Sequence, residues 1–196
     1  MVGSGPGNIR KKQVLFVHSG GTQGLHEGSY DLVAWLRMAL GPPYEVLYPK
    51  MPNPDQPIYE QWKQAIKKEL AKLDDGVILI GHSLGGSVIL KFLSEEKIAK
   101  KIDGLFMIGS PYWGKRNWKV NEYILKEKFA ACLPDVNEIF IYHSRRDSVV
   151  PFKHLSYYAE QLPLANLRPI PGREHLFASG LPVMANDIRS LNATHN

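Results

Sequence analysis

Four consecutive apolar residues, Val77-Ile78-Leu79-Ile80, run directly into Gly81-His82-Ser83-Leu84-Gly85-Gly86 and then into a second apolar stretch from Val88 to Leu93. A strand that is apolar at every position can show water neither of its faces, so its sheet must be covered by helices on both sides. The glycine-rich hinge must then turn the chain sharply from that strand into a buried helix. This one segment restricts the chain to an α/β architecture built round a covered central strand.

The rest of the sequence keeps the same alternation. Strand-length apolar runs occur at Val14 to Val17, Tyr44 to Tyr48, Ile102 to Ile108, Ile139 to Tyr142 and Leu167 to Ile170. Between them apolar residues recur at helical spacing: Leu32, Trp35, Leu36 and Ala39 within the stretch Gly28 to Leu40, then Ile58, Trp62, Ala65, Ile66, Leu70 and Leu73. Further helices are expected over Asn121 to Ala131, Phe152 to Leu162 and Val183 to Leu191. Pro49, Pro52, Pro54 and Pro57 interrupt the pattern, because each removes a backbone donor and fixes φ. The expected fold is α/β, an open, mostly parallel sheet with helices on both faces.

At 196 residues the chain has room for one domain, since domains commonly run to about 100–200 residues. We expect it over residues 13–196, after a leader over residues 1–12 whose Gly3, Gly5, Pro6 and Gly7 and basic Arg10-Lys11-Lys12 offer nothing to bury. The Gly-rich spacing there is no dinucleotide fingerprint, because no strand precedes it. Lys and Arg number 24 against 19 Asp and Glu, a net charge of +5 mixed along the chain rather than gathered in a stripe, which argues against nucleic-acid binding. The basic runs Lys97 to Lys101 and Lys115 to Lys119 read as solvated faces. Cys132 is the single cysteine, so no intramolecular disulfide can form. No apolar run approaches the ~18 residues of a membrane span, and no signal pattern opens the chain, so a cytoplasmic protein without a membrane segment is expected.

The hinge carries chemistry as well as geometry. It contains G-x-S-x-G between a strand and a helix, the context in which a serine hydroxyl is held exposed on a tight turn. A phosphate loop is the competing reading, but the lysine it requires is missing and Ser87 follows Gly86 directly. A serine hydroxyl needs a base, and the base needs an acid, in the chain order Ser, Asp/Glu, His. Asp147 follows the strand Ile139 to Tyr142, and His175 follows the strand ending at Ile170. Loops at the carboxyl ends of parallel strands converge, so Ser83, Asp147 and His175 are the candidate catalytic residues. The amide of Leu84 and one from the first-strand loop, Gly20 or otherwise Gly21, are the candidate oxyanion donors. His18, His82, His143 and His154 show no H-E-x-x-H spacing, and with one cysteine neither a metal nor another cofactor is expected. His82 reads as a packing residue. Tyr112 and Trp113 are candidate substrate-binding residues, in a loop from Ser110 to Trp118 too short for a cap domain.

With these motifs the chain resembles the α/β-hydrolase superfamily from Val14 onward: His18-Ser19-Gly20-Gly21 after the first strand, the Ser83 hinge, Asp147 with its Val-Val-Pro, and Pro-Gly-x-x-His175. It is most similar to the small capless serine hydrolases related to retinoblastoma-binding protein 9, which share the Pro-x-Met-Pro-x-Pro pattern of Pro49 to Pro54 with a downstream tryptophan, here Trp62. His18-Ser19 departs from the His-Gly of many relatives. The resemblance implies a minimal α/β-hydrolase fold without a separate cap, and a serine hydrolase that cleaves a carboxylic ester of a small-molecule acyl substrate through an acyl-enzyme. Thioesterase, amidase and peptidase chemistry on the same residues stay open, as does a protein-binding role on a hydrolase scaffold.

Overall fold

The computed structural model of the protein describes residues 10–191. Its strands are β1 (Lys12–Val17), β2 (Tyr44–Leu47), β3 (Val77–His82), β4 (Ile102–Ile108), β5 (Ile139–Ser144) and β6 (Asn166–Ile170). They form one sheet in the order β2-β1-β3-β4-β5-β6, and every neighbouring pair is parallel. The helices are α1 (Tyr30–Leu40), α2 (Tyr59–Ala71), α3 (Leu84–Glu95), α4 (Lys153–Gln161) and α5 (Pro182–Ser190). The expected architecture is therefore present, with a sheet that is parallel throughout.

Alternation along the central strands divides the core in two. Leu15, Val17, Leu79, Leu105, Met107 and Ile141 face the apolar sides of α2, α3 and α4, where Trp62, Ile66, Val88, Phe92 and Tyr158 lie fully buried. Their neighbours Val14, Phe16, Ile78, Ile80, Phe106, Ile108 and Tyr142 face α1 and α5, represented by Leu32, Leu36, Met184 and Ile188. Both faces are dry, which is why β3 is apolar at every position up to its hinge.

Two expectations need correction. β1 begins at Lys12, inside the leader expected over residues 1–12, because Lys12 pairs with Tyr44 and its amide donates to Pro43 O at 2.9 Å; residues 1–9 of that leader lie outside the described residues. The helix expected over Asn121 to Ala131 is instead two 3-10 turns, Asn121–Tyr123 and Phe129–Cys132. Its pattern fails because the Ile124 carbonyl, which Lys128 would engage in an α-helix, accepts Lys91 Nζ at 2.8 Å, and Lys128 sits at φ 57°. Among the described residues no separate cap stands between β4 and β5.

The chain runs outward from the middle of the sheet in both directions, β1 to β2 on one side and β3 to β6 on the other. The point where this order reverses lies between β1 and β3, and the crevice at its carboxyl edge is where open α/β sheets place ligands. Gly20 follows β1 and Ser83 follows β3 at that edge.

Candidate active site

Ser83 links β3 to α3 with φ 52° and ψ −119°, a conformation that side-chain-bearing residues rarely adopt. Its amide donates to Ile108 O on β4 at 2.7 Å, and its carbonyl accepts the Gly86 amide at 3.1 Å. The surrounding glycines are steric requirements. A Cβ on Gly81 would stand 2.4 Å from Gly86 Cα, and one on Gly85 would stand 2.3 Å from Val17 O and 2.5 Å from His18 O. The hinge can thus approach β1 this closely only without side chains.

Asp147 and His175 come to this serine from the ends of β5 and β6. His175 Nε2 lies 3.0 Å from Ser83 Oγ, and His175 Nδ1 lies 2.9 Å from Asp147 Oδ2. The other carboxylate oxygen, Oδ1, accepts the amides of Val149 and Val150, each at 2.8 Å. Burial alone would raise the Asp147 carboxyl, but hydrogen bonds from His175 and from these two amides outweigh it and hold the group below the ordinary carboxylate value. Asp147 is therefore a carboxylate with a fixed orientation, its side chain wholly buried. Gly109, at φ 56°, closes the back of the site: a Cβ there would press on the His175 ring at 3.2 Å and on Asp147 Oδ2 at 3.4 Å. The three residues predicted from motif order and strand ends are brought together.

The amides at the switch point differ in what they already bind. Ser19 N–H donates to Ser29 Oγ at 3.0 Å and Gly21 N–H to Pro54 O at 2.7 Å, whereas Gly20 N–H has no acceptor among the described residues. Leu84 N–H opens α3, where the first amides have no intrahelical partner. Gly20 and Leu84 also face each other, since a Cβ on Gly20 would lie 3.3 Å from Leu84 Cδ2. Of the two first-strand candidates, Gly20 is the one with a donor to spare.

The proline-rich stretch supports this loop. Pro54 O holds Gly21, Pro52 O accepts Trp62 Nε1 at 2.7 Å, and Met51 N–H donates to His18 Nε2 at 2.8 Å. The His18 ring stands edge-on to Trp62 with centroids 5.1 Å apart.

A cavity of about 620 Å³ opens over Ser83 and His175. Its walls include Gly20, Leu84, Trp113, Trp118, Tyr123 and Leu176, and among the described residues Glu122 is the one carboxylate in them and no lysine or arginine lines them. Val120, Val149 and Leu176, exposed by 44%, 55% and 44%, all border it, so apolar surface is left open to water here. Trp113 lies in the wall as expected. Tyr112 does not: it packs against Tyr158 and Tyr157, at 5.0 and 5.9 Å between centroids, and its amide donates to His154 Nδ1. Neighbouring residues in a loop commonly point to opposite sides, and the sequence offered no way to choose between them. Trp118, Glu122 and Tyr123 were missed because a loop without periodicity does not reveal which side chains it turns inward. Among the described residues no group of three or more His, Cys, Asp or Glu is placed to hold a metal, and no helix is long and apolar enough to cross a membrane.

A family model described as "Serine hydrolase" matches residues 36–179, a span that contains Ser83, Asp147 and His175. The chain belongs to the serine hydrolase family. Within this serine hydrolase, 117 residues are 25% identical to YdeN of Bacillus subtilis (strain 168), named as a candidate hydrolase. That alignment covers 59% of this chain and 62% of YdeN, so it spans less than two thirds of that relative's length. The solved structure of the ydeN gene product superposes with a TM-score of 0.73 at 22% identity, over 93% of this chain and 100% of the other. Est1E of Butyrivibrio proteoclasticus gives 0.67 at 18% identity, over 96% and 90%. The meta-cleavage product hydrolase CumD of Pseudomonas fluorescens IP01 gives 0.70 at 13%, over 95% and 92%. At these identities the structural likeness is one of fold, and the fold is that of the α/β hydrolases.

Proposed function

We propose that this serine hydrolase cleaves carboxylic esters with an uncharged, apolar or aromatic group through an acyl-enzyme, with Ser83 as nucleophile, His175 as base and Asp147 as its orienting acid. The observation that carries this reading is the unbroken relay from Asp147 Oδ2 through the His175 ring to Ser83 Oγ, at 2.9 and 3.0 Å, on a serine held at a strained hinge.

His175 Nε2 takes the hydroxyl proton as Ser83 Oγ bonds to the acyl carbon, and Asp147 keeps Nδ1 protonated and stabilises the imidazolium. The carbonyl electron pair moves to oxygen, where the Leu84 and Gly20 amides stabilise it; one such donor is commonly worth about 3 kcal/mol. His175 then protonates the departing alkoxide, the ester bond breaks, and a water deprotonated by the same nitrogen releases the acid and restores Ser83.

The cavity favours esters over acyl-CoA thioesters, because a phosphorylated carrier would meet Glu122 and find no lysine or arginine in the walls. Trp113, Trp118 and Tyr123 suit a flat or branched apolar group. Est1E has been solved with ferulic acid bound, so esters of aromatic acids are worth trying beside simple ones. Action on small molecules in the cytoplasm belongs to the same proposal.

The test compares fluorophosphonate labelling of the native chain and Ser83→Ala, followed by turnover of p-nitrophenyl butyrate against an anionic hemisuccinate ester and an acyl-CoA. We expect labelling in the native chain alone and preference for the neutral ester. Full labelling of Ser83→Ala overturns the nucleophile, absent native labelling favours a binding role, and preference for acyl-CoA overturns the substrate class.

A further inference from the structure

His82, next to the hinge serine, is fully buried and bonded through both ring nitrogens. Nε2 lies 2.8 Å from the backbone carbonyl of His175, which can only accept, so Nε2 carries the proton. Nδ1 lies 2.7 Å from Ser29 Oγ, nearer than Ser19 Oγ at 3.4 Å, and in the neutral ring it accepts the Ser29 hydroxyl. With its proton so committed, Ser29 Oγ is left as an acceptor, and it receives the Ser19 amide at 3.0 Å. Ser29 stands at the N-cap of α1 yet makes no capping bond with its side chain. That omission is informative, because a capping serine commonly contributes about 1 kcal/mol to a helix. The hydroxyl is directed instead to the imidazole and to the loop. The His82 and His175 rings are 5.4 Å apart and tilted by 40°, so His82 also backs the ring whose carbonyl it holds.

We propose that His82 is a positioning residue: one neutral imidazole fixes the base His175 on one side and, through Ser29, the Ser19-Gly20 donor loop on the other. The inference rests on the reading above, in which His175 and Gly20 serve the reaction. With the ring neutral, the chain of donors runs in one direction, from the Ser19 amide to Ser29, from Ser29 to His82, and from His82 to the His175 carbonyl. Reversing any member leaves two donors or two acceptors facing each other. Burial, with the neighbouring His175, pushes the His82 pKa down to about 3, so the ring stays in the neutral form this order requires.

The experiment measures kcat and KM for p-nitrophenyl butyrate, the rate of fluorophosphonate labelling and the melting temperature in His82→Phe, His82→Gln, Ser29→Ala and the double variant His82→Phe/Ser29→Ala. Phenylalanine keeps the ring and removes both bonds; the glutamine amide can still donate to the His175 carbonyl. His82→Phe is expected to lower kcat and the labelling rate together, on the order of 10²-fold, with KM within about twofold, as a small misplacement of reacting groups does. His82→Gln should recover part of that loss. The double variant should lose little more than His82→Phe, because the two residues act as one unit. Unchanged kcat in a folded His82→Phe overturns the proposal, as does equal loss in His82→Phe and His82→Gln. Should His82→Phe not fold, Ser29→Ala decides in the same way, and unchanged kcat there overturns it. Ser83→Ala separates the two layers: if it still labels, the nucleophile reading fails, whereas if labelling is lost with Ser83 but runs at full rate in His82→Phe, only the role of His82 falls.

Discussion

Asp147 shows how finely a single atom is specified. Its Oδ1 accepts two backbone amides and its Oδ2 faces His175 Nδ1. In Asp147→Asn the amide oxygen would keep the two N–H groups, leaving the NH2 turned toward Nδ1, where it stabilises the imidazole tautomer that cannot accept the Ser83 proton. We expect kcat to fall on the order of 10⁴-fold, the size of the equivalent tautomer error in serine proteases, with the melting temperature nearly unchanged. Steady-state kinetics beside a thermal melt check this, and a loss below tenfold would show that Asp147 does not set the tautomer. Asp147 and His175 were legible in the sequence because each stands just beyond a recognisable strand, in the order the chemistry needs. His82 was legible only as a buried side chain, since its partners Ser29 and His175 lie far along the chain and no spacing connects them. Tyr112 was misplaced for the related reason that a loop sequence does not say which neighbour faces inward.

At the scale of elements, the wall between β4 and β5 is held from below. Lys91 on α3 donates to Ile124 O at 2.8 Å and pairs with Glu95 at 2.9 Å, while Glu95 accepts the Tyr59 hydroxyl at 2.6 Å. The Tyr59 amide donates to Glu122 at 2.8 Å, and the Tyr123 hydroxyl donates to Pro57 O at 2.6 Å. The start of α2, the Pro57 carbonyl just before it and Lys91 of α3 thus secure Glu122, Tyr123 and Ile124 without touching Ser83. Lys91→Met should keep the packing of the stem but release the Ile124 carbonyl and leave Glu95 with the Tyr59 hydroxyl and the more distant Lys63 Nζ at 3.9 Å. We expect KM to rise severalfold with kcat within about twofold, the signature of lost substrate binding rather than lost chemistry, and a destabilisation of about 1–3 kcal/mol. An unchanged KM would mean that the wall stands without this support. The strands and the five α-helices were readable as runs and periods. This segment was not, because its shape comes from bonds made to other elements, and an apolar spacing that suits a helix is overridden once a lysine claims the carbonyl.

Over the whole molecule, the buried histidines tie stability to pH. His18, His82, His143 and His154 are each almost inaccessible to water. Three of them have a ring nitrogen that accepts a hydrogen bond and must stay unprotonated to do so. His18 Nε2 accepts the Met51 amide, His82 Nδ1 the Ser29 hydroxyl, and His154 Nδ1 the Tyr112 amide. His143 donates from Nε2 to Val150 O, and its Nδ1 is buried with no partner among the described residues. Burial is the leading cause that lowers all four pKa values, to about 3 for His82 and about 4 for His154. In the unfolded chain the same groups titrate near 6.5. Below that pH the unfolded state binds protons that the folded state refuses, down to about 4 for His154 and about 3 for His82, so stability falls as pH falls, by up to about 1.4 kcal/mol per pH unit for each of these two, and His18 and His143 act in the same direction. The lowered Asp147 carboxyl acts in the same sense only further down, below the ordinary carboxylate range. A domain of this size commonly has about 5–15 kcal/mol in total, so several such groups can unfold it in mild acid. Urea midpoints should be flat above about pH 7 and drop steeply between pH 6.5 and 4.5, and His154→Gln, whose amide oxygen can still accept from Tyr112, should flatten that slope by close to one proton. A midpoint constant from pH 7 to pH 5 would mean that these rings accept protons in place, and the neutral hydrogen-bond order assigned to His82 would fall with it.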